Sequence, residues 1–164
     1  MNSLSGCAEA LRRRQDARSI LEAGIAAVDP VASVRHCLRL TEDKIHAGDH
    51  VLPLSISARL VVVGAGKATP SMAYAAEQIL GDRIEGGSIN TKWGHGRPLS
   101  RIHTTECSHP LPDQAGVEGA RRILDLVSGL GPEDLCLCLF SGGGSALLPA
   151  PAEGLTLRDK GTVT

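Results

Sequence analysis

At 164 residues, with a formal net charge of −1 and 42% apolar residues, the chain is long enough for one domain with its own core and has the composition of a globular protein. Aromatic residues make up only 2%, so the core has to be built from Val, Leu, Ile and Ala, which argues against a nucleic-acid site based on stacked bases. The near-neutral charge likewise gives no electrostatic reason for nucleic acid or an acidic membrane surface as partner.

Cys7, Cys37, Cys107, Cys136 and Cys138 show no paired metal-ligand spacing and read as small core residues of a reducing compartment. No signal-type apolar core opens the chain, and no uninterrupted apolar run approaches the roughly 18 residues that span a bilayer, so the expected location is the cytoplasm.

Taken in chain order, residues 7–28 place Leu11, Ile20, Leu21, Ile25 and Val28 at helical spacing and stop at Asp29-Pro30. The RRR run at 12–14 lies among Glu9, Asp16 and Glu22 and reads as a solvated face. A second helix is expected to start with Pro30 as its first residue and to carry Val31, Val34, Leu38 and Leu40. Residues 41–57 read as an irregular connector with one short strand near Val51.

The rhythm then changes. LVVV at 60–63 is the continuous β-branched run of a strand buried on both faces. After the turn GAGKA, Thr69 is the expected N-cap and Pro70 the first residue of a helix ending at Gly81. Short strands are expected at 87–90 and 102–107. The loop SHPLPD follows, then a helix capped by Asp113 and ending at Gly129, then the strand LCLCLF at 135–140, which empties into SGGGS. Strands alternating with helices predict an α/β fold: a doubly wound, mainly parallel sheet with helices on both faces, three-layered and Rossmann-like, whose ligands bind beyond the carboxyl ends of the strands. Both glycine turns then share one rim.

Neither turn matches a standard nucleotide fingerprint. The P-loop pattern needs a glycine where this chain has Val61 and a hydroxyl where it has Ala68; the dinucleotide pattern begins with Gly64 and Gly66 but meets Thr69 at its third glycine. Glycines after a strand either admit an anion close to helix-terminal amides, with Lys67 adding a full charge, or serve only as a tight turn. The stretch Ser141, Gly142, Gly143, Gly144, Ser145 is the stronger signal, because three glycines are entropically expensive and the flanking hydroxyls add donors for phosphate or carboxylate oxygens. Two anion sites on one rim suit phosphoryl transfer from a nucleotide to a carboxylate-bearing substrate. His109 and Asp113 of SHPLPD, and Lys92 and His95 of NTKWGHGRP, fall on the same rim as ligand contacts, or else as a turn residue, a helix cap and a solvated loop. His36, His46 and His50 show no metal-ligand spacing, and no metal ligands are assigned.

Taken together, VVVGAGKA, GGSINTKWGHG, CSHPLPDQAG and LFSGGGSALLPAPAEGLTLRDK resemble the glycerate 2-kinase family, several of whose members carry the label hydroxypyruvate reductase. The resemblance runs from the first helix to Lys160. It implies a large N-terminal α/β domain, a smaller C-terminal domain and a cleft between them, with ATP and a divalent metal such as Mg used to convert D-glycerate to 2-phosphoglycerate, and a homodimer as the candidate assembly. It matches Lys67 to the family's active-site lysine and Ser141–Ser145 to its phosphate-binding loop, and says less about His109 and Asp113. Cys107 and Ser108 depart from the small residues the family has more often. Family proteins are much longer, and GTVT at 161–164 does not resemble their continuation. Residues 1–164 are therefore expected to be the N-terminal portion of the α/β domain, a truncated form or fragment of low or no activity alone. Two alternatives stand beside this one: a nicotinamide-dependent hydroxypyruvate reductase with Glu85, about 20 residues after the glycine turn, holding the ribose, and a noncatalytic binding fragment exposing apolar surface along LCLCLF.

Overall fold

The computed structural model describes residues 3–163. Helix α1 spans Ser3–Ala27 and helix α2 spans Pro30–Cys37. Between them Asp29 caps α2, its carboxylate accepting the Ala32 N–H at 2.7 Å, and Pro30 occupies a first-turn position whose N–H would have had no helical partner. The apolar residues of α1 cover no core among the described residues, and Leu11, Ile20, Leu21, Ile25 and Val28 are all exposed.

The next segment corrects the reading of it as an irregular connector. Leu38 and Leu40 do not continue α2; they belong to strand β1 (Leu38–Thr41), which pairs antiparallel with β2 (Lys44–Ala47), itself paired with β3 (His50–Pro53). Four-residue strands are too short for a period-2 pattern to show. Only Leu38 and Ile45 are buried, and β3 is exposed throughout. Gly48, at φ 59°, makes the second of the two tight turns.

Four parallel strands form the main sheet, in the order β6-β5-β4-β7: β4 is Leu60–Gly66, β5 Gly86–Lys92, β6 Ile102–Cys107 and β7 Leu135–Ser141. Every residue of β4 is buried, as its unbroken apolar run requires of a central strand covered on both faces. Helix α3 (Thr69–Leu80) connects β4 to β5 and packs Ala73, Ala76 and Leu80 against Leu60, Val62, Ile89 and Leu139. Helix α4 (Gln114–Ser128) connects β6 to β7 and lies on the opposite face, over β4, β5 and β6. The expected α/β fold, parallel with helices on both faces, is therefore the one observed. Gly81 ends α3 at φ 50°, and Asp113 caps α4 through the Gly116 N–H at 2.9 Å. A short α5 (Leu157–Val163) is opened by a reciprocal pair, Thr156 N–H to the Asp159 carboxylate at 2.8 Å and Asp159 N–H to the Thr156 hydroxyl at 3.2 Å.

Of the five cysteines expected in the core, only Cys107 is buried; Cys7, Cys37 and Cys138 are exposed and Cys136 is intermediate. For Cys136 and Cys138 the reason is the position of β7 at the sheet's edge, whereas Cys7 and Cys37 lie on α1 and α2. Leu139 points into the α3 face of the core, while Phe140 on the alternate side is 51% exposed. A continuous apolar run marks a strand that can be covered on both sides, and cannot say which side is left open among the described residues.

Candidate functional site at the carboxyl rim of the sheet

Strand register lines up the candidate residues. Gly66 pairs with Ser141, Ala65 with Asn90, and Lys92 with Cys107. The two glycine turns, Lys92 and the SHPLPD loop thus leave the same edge of the sheet, and at about 4.8 Å between neighbouring strands the four strand ends span about 15 Å.

The first glycine turn is bolted to the second. The Ser141 hydroxyl accepts the Ala68 N–H at 3.0 Å and lies 3.4 Å from the Thr69 hydroxyl, which donates to the Leu139 carbonyl at 3.3 Å. Thr69, expected to cap α3, is instead its buried first residue and spends its hydroxyl on β7; Ala68 precedes it without a side-chain cap. Gly64 and Gly66, expected to touch an anion, are buried against β7. A Cβ at Gly64 would overlap the Leu139 carbonyl, and one at Gly66, which holds φ 139°, would overlap Ser141. Their missing side chains let two strands close up. The Ser141 hydroxyl likewise takes part in the junction.

The second turn is open. Gly142 adopts φ 68°, and a Cβ at Gly142 or Gly143 would meet nothing within 4 Å. The N–H groups of Gly143, Gly144 and Ser145 donate to no group among the described residues, and Gly143, Ser145 and Lys67 of the adjoining turn are exposed. The Lys67, Lys92 and His109 side chains have no hydrogen-bond or ion-pair partner among the described residues. Two carboxylates near the rim accept backbone N–H groups: Asp113 accepts the Ser108 N–H at 3.0 Å and the Gly116 N–H at 2.9 Å, and Glu106 accepts the Gly96 N–H at 2.7 Å. No group of three or more His, Cys, Asp or Glu side chains that could hold a metal occurs among the described residues.

Sequence reading missed what anchors this open loop. Asn90 is fully buried, and its amide donates to the Gly116 carbonyl of α4 at 3.1 Å and to the Leu147 carbonyl at 2.8 Å, fastening the turn after SGGGS to both β5 and α4. Gly119 leaves the space for it, since a Cβ there would overlap the Asn90 amide. Cys107 adds a thiol contact to the same Leu147 carbonyl at 3.7 Å, and burial, seconded by the Asp113 charge, pushes that thiol up to about 11, so it stays protonated at neutral pH. The available signal was an asparagine inside the expected strand 87–90, a costly place for an amide unless it has carbonyls to satisfy. Replacing Asn90 with leucine strands two buried carbonyls and is expected to cost about 2–4 kcal/mol, read as a lowered urea midpoint; an unchanged midpoint would show that the amide anchors nothing.

A family model described as a domain of unknown function, DUF4147, matches residues 16–164. A glycerate 2-kinase from Pyrococcus horikoshii is 37% identical over 135 residues, covering 82% of this chain and 30% of that protein. The chain belongs to the glycerate 2-kinase family. Another relative, a putative hydroxypyruvate reductase from Agrobacterium vitis, is 50% identical over 105 residues, covering 64% of the chain and 27% of that protein. The crystal structure of a glycerate kinase from Thermotoga maritima superposes with a TM-score of 0.72 at 33% identity over 92% of this chain and 33% of that one. The chain thus spans about a third of the length of the glycerate 2-kinase family relatives it matches.

Proposed function

We propose that the chain supplies the phosphate-binding rim of an enzyme that transfers a phosphoryl group from ATP to D-glycerate, giving 2-phosphoglycerate. The observation that carries this reading is the open loop Gly142–Ser145, with its undonated N–H groups, fastened through Ser141 to the turn that presents Lys67. Phosphoryl transfer asks for positioning and charge neutralisation more than for covalent chemistry, and fixed N–H donors plus a cation provide both. In this assignment the loop amides hold phosphate oxygens, Lys67 neutralises the charge that builds on the transferring group, and Lys92 holds the substrate carboxylate. His109 is the unengaged base for the attacking hydroxyl. No group of three or more His, Cys, Asp or Glu side chains that could hold magnesium occurs among the described residues, so no step is assigned to it. For the same reason turnover by this chain alone is expected to be slow.

The reductase reading needs an acidic residue at the carboxyl end of β5 to hold a ribose. Glu85 precedes β5 at the opposite rim, where it accepts the Arg59 guanidinium at 2.9 Å, and β5 ends instead in Lys92. The geometry therefore favours the kinase.

The test is incubation of the purified chain with ATP, magnesium and D-glycerate, with ³¹P NMR of the products beside calorimetric titration of ATP. ATP binding together with 2-phosphoglycerate, however slowly formed, supports the proposal. A chain that binds no ATP, or one that forms a phosphoglycerate other than 2-phosphoglycerate, overturns it.

A further inference from the structure

The edge strand β7 carries a second chemical feature, on the side opposite the core. Cys136 and Cys138 lie two residues apart on one face of this extended strand, with their sulfur atoms 3.8 Å apart. Cys138 and the adjacent Phe140 are exposed and Cys136 is half-buried, so the pair faces outward where no described element covers it. Among the described residues no other two cysteine sulfurs are in contact. We propose that Cys136 and Cys138 form a bidentate dithiol site for soft thiophilic ligands of the trivalent aryl-arsenical class.

Strand geometry distinguishes such a site from a disulfide. Extended residues two apart have Cα atoms about 6.6–6.8 Å apart, at the outer limit of what a disulfide tolerates, and its sulfurs must close to about 2.05 Å. That closure would bend a strand laddered to β4 along its full length, from Leu135 to Ser141. An arsenic atom seated between the sulfurs requires no such bend. In the condensation of an arsenoxide with the two thiols, the arsenic–oxygen bond breaks and two arsenic–sulfur bonds form. The two thiol protons leave with the oxygen as water, arsenic remains trivalent, and no oxidant is consumed. Burial first, and the neighbouring Cys138 second, push the Cys136 thiol up to about 11. The Cys136 thiol is therefore protonated at neutral pH. It reacts slowly with monofunctional alkylating agents, which need a thiolate, and favours a ligand that takes both protons away together.

The experiment treats the reduced chain with phenylarsine oxide in the presence of excess 2-mercaptoethanol and reads the intact mass, followed by tryptic mapping. The expected result is a single aryl-arsenic adduct that resists the monothiol, is released by a dithiol, and maps to the peptide between Arg122 and Arg158, which holds Cys136 and Cys138 and no other cysteine. Cys136→Ser and Cys138→Ser each lose the adduct and Cys37→Ser keeps it. Absence of a monothiol-resistant adduct, its location on any other peptide, or its persistence in both serine variants overturns the proposal. Mapping of the unmodified sequence decides the matter even if a serine variant fails to fold.

Discussion

Replacing Lys67 with alanine is expected to weaken ATP binding by the purified chain about 10- to 100-fold, the loss of about 1.5–3 kcal/mol that a charge-assisted contact to a phosphate contributes. Lys67 is exposed, with no partner among the described residues, so its removal leaves no buried group unsatisfied and the urea midpoint should hardly move. That separation between binding and stability is what marks a ligand contact. Lys67→Arg keeps the charge and should recover part of the affinity. Unchanged affinity for the alanine variant, measured by calorimetry at one fixed salt concentration, would remove Lys67 from the site, and an equal fall in stability would make its role structural.

The largest loss of stability is expected from Gly66→Ala, about 3–5 kcal/mol, because the variant combines a left-handed backbone position with overlap against a neighbouring strand. Its Cβ would run into Ser141, which is part of the ladder and of the junction that also binds the Ala68 N–H, so no flexible side chain can yield. Gly143→Ala provides the contrast. A Cβ there meets nothing within 4 Å, and its fold should survive with a change of about 1 kcal/mol or less, while any ligand seated on the loop is obstructed. Urea denaturation of the two variants separates a glycine needed for packing from one needed for access. Equal losses in both would contradict the division of labour between the two loops.

The sheet was legible in the sequence because central parallel strands leave a strong signal. LVVV announced β4, the glycines and prolines punctuated α3, and Asp113 and Gly129 bracketed α4 as observed. Of the meander only β3 was legible, as the short strand near Val51; β1 and β2 were not, since four-residue strands with one buried residue each lack the length for a pattern to emerge. At the rim, the sequence located both glycine loops but could not tell their jobs apart. Gly64, Gly66, Ser141 and Thr69 carry residue types suited to an anion, yet each turns toward the neighbouring strand, a distinction set by which strand lies alongside at a separation of 70 residues or more. For Asn90 the sequence offered only an amide inside a strand, because its carbonyl partners, Gly116 and Leu147, come from distant parts of the chain.

The most direct test of the claim that this rim holds phosphate is an NMR titration of the isotopically labelled 17.1 kDa chain with inorganic tripolyphosphate, following backbone amides. The account predicts the largest shifts at Gly143, Gly144 and Ser145, with smaller ones at Lys67 and none along α1 or β3. Saturable shifts centred anywhere else, or no shifts at the glycine amides, would contradict it.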